Sequence, residues 1–287
     1  MNVLLLGAGG QLGWELRRTC PDSVNLNTSG PSRIDFLNPQ SITDCFKATL
    51  PDAVINAAAY TDVNGAETDS DKAFRINHLA VSDIVRLCRA QHTRLIHIST
   101  DFIFDGTSCK PYLPSDSANP LSVYGRSKLK GEQAVKKLRD DQALILRTAW
   151  LYSSHGVNFV KTMLGLMREK ESLNVIDEQI GSPTWANGLA KAIWSALEKK
   201  LCGIHHWTDA GVASWYDFAT AIQEESIRIG LLKKPIPIYP VPVSSFPTAA
   251  KRPFYSVLDK TGLWQALHVR PVHWRTQLRT MLKELVE

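Results

Sequence analysis

The chain has 287 residues, of which 44% are hydrophobic and 21% are charged. These values are typical of a soluble globular enzyme and exclude an intrinsically disordered chain. No apolar run approaches the roughly 18 residues that a membrane-spanning helix requires, and the short apolar start runs directly into glycines, unlike a signal peptide. We therefore expect a cytoplasmic protein with no membrane partner.

The formal net charge of +5 comes from scattered basic pairs rather than from a basic stripe interleaved with aromatic residues. Nucleic acid is therefore not predicted as a partner, and the charge favours an anionic small substrate only weakly. The five cysteines form no C-x-x-C pair, and their odd number argues against a disulfide framework. We expect reduced thiols.

Residues 3–13 predict a strand, a glycine turn and a helix. The apolar residues 3–6 are typical of a strand buried on both faces of a parallel sheet. Gly7, Gly10 and Gly13 suit a tight turn, a close approach of backbone to a ligand, and close packing of the helix on the strand. The start of that helix favours a diphosphate. The segment indicates dinucleotide binding, although its G-x-x-G-x-x-G spacing also fits an ordinary strand-to-helix turn.

The region after the second predicted strand, at residues 24–27, bears on the choice between NAD and NADP. A dinucleotide-binding fold often carries an acid here that binds the ribose 2′-hydroxyl of NAD. Positions 27–29 hold no acid, and Arg33 follows. This favours a 2′-phosphate with Arg33 as its partner, although a loop arginine without a binding role fits equally well. Asp35 and Phe36 follow in a short extended piece.

The next segments continue an alternation of strand and helix. A helix is predicted over residues 38–49, a strand over 51–60, a long amphipathic helix over 71–91 and a buried strand over 93–98. Small side chains at 57–59 leave room for a flat ligand at the carboxyl end of the sheet. The alternation predicts an α/β fold with a doubly wound parallel sheet of the Rossmann type.

A hydroxyl and a helical tyrosine–lysine pair come next. Thr100 follows the 93–98 strand, and the helical pattern over 121–138 carries Tyr124 and Lys128, one turn apart on one face. We expect the lysine to lower the pKa of the tyrosine and to hold a ribose. The Y-x-x-x-K pair alone is common on solvated helices, but here it accompanies a glycine turn and a strand-end hydroxyl.

In this combination the chain resembles the extended short-chain dehydrogenase/reductase family, and more narrowly its dTDP-4-dehydrorhamnose reductase branch. The resemblance covers nearly the whole length, and several matching segments are typical of the branch alone. The segments are 7–16, 56–61 (NAAAYT), 99–106 (STDFIFDG), 124–128 (YGRSK), 147–152 (RTAWLY), 181–184 (GSPT) and 252–253 (RP).

The resemblance implies an NAD(P)H-dependent reduction of the C4 ketone of dTDP-4-dehydro-L-rhamnose to dTDP-L-rhamnose, in the biosynthesis of cell-surface polysaccharide. It implies that Tyr124 donates the proton, that Lys128 tunes Tyr124 and grips the nicotinamide ribose, and that Thr100 hydrogen-bonds the substrate carbonyl. NADPH or NADH is the expected cofactor.

The resemblance also implies the binding residues. Asp101 and Trp150 would border the sugar, and Arg252 is a candidate for the diphosphate, since a guanidinium grips phosphate oxygens bidentately. The cofactor-binding set comprises Gly7, Gly10, Gln11, Leu12, Gly13, Arg33, Asp35, Phe36, Ala57, Ala58, Ala59, Tyr60, Ser99, Tyr124 and Lys128.

Two positions depart from the family pattern. Residues 64–65 are Asn-Gly where the family usually has an acid-lysine pair, and Phe102 stands where it has a tyrosine. Neither position belongs to the catalytic set. Two alternatives remain open: a reductase of another nucleotide-linked 4-keto-6-deoxy sugar, and a non-catalytic NADP-binding relative that regulates a partner enzyme.

From residue 150 the pattern loosens, as expected where such enzymes hold their substrate. A helix over 184–197 is predicted to pack back on the cofactor domain. The expected domains are an NAD(P)-binding domain at 1–149 plus about 184–203, and a smaller, interleaved substrate lobe at 150–183 and 204–287.

His205 and His206 are the one pair that suggests a metal, but neighbours in a strand point to opposite faces, so no metal site is predicted. Dimers are common in the family, so a homodimer is compatible with the resemblance.

Overall fold

The computed structural model describes residues 1–28 and 34–286. In these residues the strands are β1 (Asn2–Leu6), β2 (Asn25–Asn27), β3 (Ala53–Asn56), β4 (Arg94–Thr100), β5 (Ala143–Thr148), β6 (Leu151–Tyr152), β7 (Leu173–Ile176), β8 (Ile180–Gly181), β9 (Thr184–Trp185), β10 (Gly203–His206), β11 (Ala213–Ser214) and β12 (Ile238–Val241). The helices are α1 (Gln11–Arg18), α2 (Pro39–Thr49), α3 (Gly65–Thr68), α4 (Ser70–Phe74), α5 (Ala80–Ala90), α6 (Val123–Val135), α7 (Phe159–Glu169), α8 (Ala186–Glu198), α9 (Trp215–Arg228), α10 (Thr261–Leu267) and α11 (Trp274–Lys283).

The large sheet contains six of these strands, all parallel, in the order β10-β5-β4-β3-β1-β2. From β1 the chain passes first to β2 on one side and then to β3, β4 and β5 on the other. Such a reversal opens a crevice at the carboxyl ends of the strands, where α/β sheets bind ligands. The predicted doubly wound parallel sheet is confirmed.

Both faces of β1 are buried, as its unbroken apolar run predicts. Val3 and Leu5 join a cluster on one face of the sheet, and Leu4 and Leu6 join a cluster on the other. Successive side chains of a strand point to opposite faces, so a strand between two helical layers needs apolar residues at every position.

Helix α8 returns to the first domain. Its residues Leu189 and Ile193 pack in the same cluster as Leu12 and Leu16 of α1. The Trp194 indole Nε1 also donates to the Thr19 hydroxyl at 3.2 Å. The helix predicted over 184–197 therefore packs on α1, beside the large sheet.

The predicted continuous helix over 71–91 is wrong in detail. A π-helical turn, Arg75–Leu79, separates α4 from α5. Asn77 in this turn is buried, and it accepts from the Tyr60 backbone N–H at 2.9 Å and donates to the Ser127 hydroxyl at 3.0 Å. The wider π-helical turn directs the Asn77 side chain inward, where it makes these tertiary contacts. The apolar periodicity of the sequence does not reveal them.

The predicted strand over 51–60 ends earlier, at Asn56. The Asn56 side chain accepts from the Ala58 backbone N–H at 3.2 Å. Residues 57–60 therefore leave the sheet. The small side chains of residues 57–59 line the cleft, and the backbone of residues 57 and 58 lies close to the glycine turn.

The second lobe has its own core, formed by α7, α9 and α11 with three two-stranded sheets, β6-β9, β7-β12 and β8-β11. Strand β10 lies at the edge of the large sheet and pairs with β5, so the predicted domain boundary at residue 203 falls inside this strand. None of the described helices is long and apolar enough to cross a membrane.

Candidate active site

A cleft of about 1190 Å³ runs along the carboxyl ends of the parallel strands. This is larger than a pocket for one small ligand usually is. The predicted site residues that line it are Gly7, Gly10, Gln11, Leu12, Phe36, Ala57, Ala58, Ala59, Ser99, Thr100, Asp101, Tyr124, Lys128, Trp150 and Arg252. The structure thus collects residues from distant parts of the chain around one cavity.

The glycine turn forms the floor of the cleft. Gly7 has φ +84°, and a Cβ there would lie 2.6 Å from the Ala58 nitrogen, so this position requires glycine. A Cβ on Gly13 would overlap the Gly7 carbonyl oxygen, so glycine lets α1 pack directly on the turn. Gly10 is the N-cap of α1 and brings no side chain to the first turn. The N–H groups of that turn therefore suit a diphosphate.

The end of the cleft beyond β2 corresponds to the adenosine end of a Rossmann-type site. Arg33 lies outside the described residues, so its contact with a 2′-phosphate stays a prediction. Asp35 is not among the described residues that line the cleft; its carboxylate accepts from the Leu37 N–H at 2.9 Å. The lining residues at this end are Arg17, Thr28, Ile34 and Phe36.

Helix α6 is held at its N-terminus by two side chains. The Ser122 hydroxyl accepts from the Gly125 N–H at 3.1 Å, and the Glu67 carboxylate accepts from the Val123 N–H at 2.7 Å. These contacts satisfy N–H groups that a helix leaves unpaired in its first turn. They fix the position of the residue between them, Tyr124.

Thr100, Tyr124 and Lys128 meet where β4 ends against α6. Tyr124 and Thr100 are joined by a side-chain hydrogen bond. The Lys128 ammonium donates to the Ile98 carbonyl oxygen at 2.7 Å. All three side chains are almost completely buried and line the cleft.

The pKa values in this group follow mainly from burial. Burial raises the pKa of Tyr124 to about 12, against the hydrogen bond with Thr100, and the charge of Asp101 raises it further. Burial lowers the pKa of Lys128 to about 8, and the charge of Glu132 opposes that shift. The expectation that Lys128 lowers the pKa of Tyr124 is wrong: this pKa is raised, and the side chain that opposes the rise is Thr100 rather than Lys128.

Asp101 lies beside this group and is also buried. Its Oδ1 accepts from the Thr100 hydroxyl at 3.1 Å. Burial raises its pKa to about 6, against hydrogen bonds with the side chains of Ser256 and Thr100. Its carboxyl group thus changes charge near neutral pH at the cleft wall.

Two stacked tryptophans, Trp150 and Trp215, also line the cleft. Trp150 has φ +47°, an uncommon conformation for a bulky residue, and its ring stacks on Trp215 with the ring centres 3.5 Å apart. Gly181 also packs against the Trp150 indole, where a Cβ would lie 2.5 Å from the ring. The Trp150 carbonyl accepts from the Thr184 N–H at 3.1 Å. These contacts hold Trp150 rigidly at the junction of the two lobes.

Arg252 brings a cation to the cleft. It is partly buried, and burial lowers its pKa, against the charge of Asp62. Within residues 1–28 and 34–286 its guanidinium makes no hydrogen bond or ion pair. A partly buried cation of this kind suits an anionic ligand.

Two further predicted residues lie away from the cleft lining. Gly13 packs α1 on the glycine turn, and Tyr60 is held through its backbone by Asn77. Their predicted roles in cofactor binding remain predictions.

Several lining residues were not predicted from the sequence. Thr148 ends β5, Trp215 comes from α9, and residues 156–158 follow β6. The Asn158 amide donates to the Gln11 side-chain oxygen at 3.0 Å, so the 156–158 segment contacts the glycine-turn helix. Of these, only Thr148 lies in a segment that the sequence analysis quoted, 147–152, and no role was predicted for it.

The two adjacent histidines have separate environments. His205 contacts the Cys202 carbonyl oxygen at 3.1 Å through Nε2, whereas His206 is buried beside Arg147. Among the described residues no group of three His, Cys, Asp or Glu side chains is arranged to hold a metal ion.

The sheet, its crevice and the interleaved second lobe define an extended short-chain dehydrogenase/reductase fold. The family model described as the RmlD substrate binding domain matches residues 1–287. The dTDP-4-dehydrorhamnose reductase of Escherichia coli K12 is 37% identical over 294 residues, covering 99% of this chain and 98% of that protein. The chain therefore belongs to the dTDP-4-dehydrorhamnose reductase family of oxidoreductases.

Two other relatives bear on substrate and cofactor. The dTDP-4-keto-6-deoxy-D-glucose reductase of Streptomyces niveus is 36% identical over 96% of this chain and 94% of that protein. The structure of the Bacillus anthracis dTDP-4-dehydrorhamnose reductase in complex with NADP superimposes with a TM-score of 0.91, at 31% identity, and covers 99% of each chain.

Proposed function

We propose that this protein reduces the C4 ketone of dTDP-4-dehydro-L-rhamnose to dTDP-L-rhamnose with NADPH or NADH. The observation that carries the proposal is the convergence of Thr100, Tyr124 and Lys128 on one cleft that also contains the glycine turn. The family supports the reaction class, and the relative in Escherichia coli supports this sugar.

The residues present fit a nicotinamide dinucleotide. Gly7 leaves no room for a side chain, Gly10 leaves the first turn of α1 uncapped, and the buried Ser99 hydroxyl at the cleft has no partner within the described residues. When bound, the reduced cofactor supplies the hydride. We assign Lys128 to the ribose hydroxyls, because its ammonium is already oriented by the Ile98 carbonyl.

Tyr124 is the proton donor in this proposal. Its raised pKa keeps the phenol protonated at neutral pH, which the acid of a ketone reduction requires. The Thr100 hydroxyl reaches both Tyr124 and the cleft, and it has a single proton, which it donates to Asp101 in this structure. By rotating away from Asp101 it can polarise the ketone oxygen, and after Tyr124 has given up its proton it can donate to the phenolate instead. Asp101 and Trp150 border the sugar, and Arg252 holds the diphosphate.

A panel of nucleotide-linked 4-keto sugars tests the proposal. The panel contains dTDP-4-dehydro-L-rhamnose, dTDP-4-keto-6-deoxy-D-glucose and UDP- and GDP-linked 4-keto sugars, each with NADPH and NADH. We expect the highest kcat/KM for dTDP-4-dehydro-L-rhamnose. A preference for another sugar supports the first alternative, and absence of turnover with every sugar while NADPH binds supports a regulatory role.

We expect Arg252→Ala to raise the KM for the dTDP-sugar roughly tenfold or more, because it removes charge-assisted hydrogen bonds to phosphate. The cofactor Kd should not change. The neighbouring Lys251→Ala is the control, since Lys251 is exposed and does not line the cleft among the described residues. An equal rise in KM for both variants would contradict the assignment of Arg252.

The cofactor preference gives a second prediction. Because positions 27–29 lack an acid, NADPH should be accepted at least as well as NADH, and Arg33→Ala should raise the KM for NADPH roughly tenfold or more. The KM for NADH should be nearly unchanged. Arg17→Ala is the comparison, because Arg17 is a second basic side chain at the same end of the cleft. A strong NADH preference of the wild type would overturn this reading.

A further inference from the structure

Thr148 is the last residue of β5 and lies next to the reaction site. It is paired in register with Thr100 on the neighbouring strand β4. Its side chain lines the cleft, and the residue is 8% exposed. Within residues 1–28 and 34–286 its hydroxyl oxygen is buried and has no hydrogen-bond partner.

Two other buried threonine hydroxyls of the described chain are hydrogen-bonded. The Thr93 hydroxyl donates to the Pro51 carbonyl at 2.9 Å, and the Thr208 hydroxyl donates to the Asp209 carbonyl at 3.0 Å. A buried hydroxyl without a partner is costly, so such a group in a binding cleft indicates a ligand that completes its bonding. The hydroxyl of Ser99, another residue that lines the cleft, is also without a partner in the described residues.

The topology indicates which part of a ligand reaches Thr148. The diphosphate fits the start of α1 after β1, and the adenosine end lies beyond β2. The nicotinamide must therefore extend the other way, across the ends of β3, β4 and β5. Thr148 lies at the end of that path, one strand beyond Thr100.

We propose that Thr148 is a positioning residue whose hydroxyl hydrogen-bonds the carboxamide of the nicotinamide. The proposal rests on the cofactor assigned under the proposed function. The carboxamide offers both N–H donors and a carbonyl acceptor, and a threonine hydroxyl can pair with either. This bond fixes the rotation of the nicotinamide ring, so that the face that transfers the hydride points towards Thr100 and Tyr124.

The test is the equilibrium binding of reduced cofactor to Thr148→Val, measured by cofactor fluorescence without sugar. Valine keeps the shape of threonine and removes the hydroxyl. We expect the Kd for NADPH to rise about 3- to 10-fold, and Thr148→Ser to remain within about twofold of wild type. Thr220→Val is the matched control, because the Thr220 hydroxyl is also buried without a partner in the described chain but does not line the cleft.

Cofactor analogues distinguish a carboxamide contact from a general effect on the fold. The 3-acetylpyridine analogue lacks the amide N–H groups, and the thionicotinamide analogue has a weaker acceptor. For at least one analogue the ratio of variant to wild-type Kd should fall towards one. Equal ratios for NADPH and both analogues would overturn the proposal, as would a variant that binds NADPH like wild type. Failure of the wild type to bind either NADPH or NADH would instead refute the proposed function.

Discussion

Tyr124→Phe is expected to lower kcat by roughly 10²-fold or more while the cofactor still binds. Phenylalanine removes the proton donor and keeps the ring, which packs edge-on against Phe102 with ring centres 5.6 Å apart. The packing and the fold should therefore survive. Steady-state kinetics and a cofactor-binding titration on the same preparation test both halves of this expectation.

The control for this variant is Phe102→Leu, which changes the other ring of the pair and leaves the phenol in place. We expect it to retain most of the turnover. Wild-type turnover in Tyr124→Phe, or an equal loss in both variants, would show that the phenol is not the acid.

Glu132→Gln is expected to lower the free energy of unfolding by about 3–5 kcal/mol. Glu132 and Arg147 form a buried bidentate ion pair, with N–O distances of 2.9 and 2.8 Å. Glutamine has the shape of glutamate, but it leaves the buried guanidinium charge without its counter-ion. Arg147 also donates to the Pro114 carbonyl and to His206, so its displacement would disturb contacts around β5 and β10. Urea unfolding measures the loss.

The exposed pair Arg139–Asp141 is the control. Both side chains are more than 60% exposed, at 71% and 66%, and Asp141→Asn should change the stability by less than about 1 kcal/mol. Glu132→Gln carries a second readout. The Glu132 charge raises the pKa of Lys128, which is about 8 in the wild type, and kcat/KM should fall as Lys128 loses its proton above this pH. In Glu132→Gln this fall should move to lower pH. If Glu132→Gln lost no more stability than Asp141→Asn, the expected destabilisation from breaking the buried Glu132–Arg147 pair would be wrong.

The sequence predicted the fold well where local pattern and tertiary packing agree. The apolar run 3–6 predicts a strand buried on both faces, and the structure divides it between two clusters. Prediction failed where a single tertiary contact decides local geometry. Asn77 widens the helix into a π-helical turn to reach Tyr60 and Ser127, and no periodicity reports that contact.

The candidate site shows the same division. Thr100, Tyr124 and Lys128 were predicted together because a strand end and a helical spacing are readable from sequence. Their pKa values depend on burial, which requires the assembled fold, and so the expected effect of Lys128 on Tyr124 was wrong. The stacking of Trp150 on Trp215 joins residues far apart in the chain, so the sequence carried no sign of it.

The proposed reduction of dTDP-4-dehydro-L-rhamnose is tested most simply by the reaction itself. Its progress is monitored by the consumption of NAD(P)H, and the sugar product is identified by NMR. We expect purified protein to convert dTDP-4-dehydro-L-rhamnose to dTDP-L-rhamnose, with one NAD(P)H consumed for each sugar reduced. The proposed function is wrong if the protein binds the cofactor and leaves this sugar unchanged, or if it reduces another 4-keto sugar in its place.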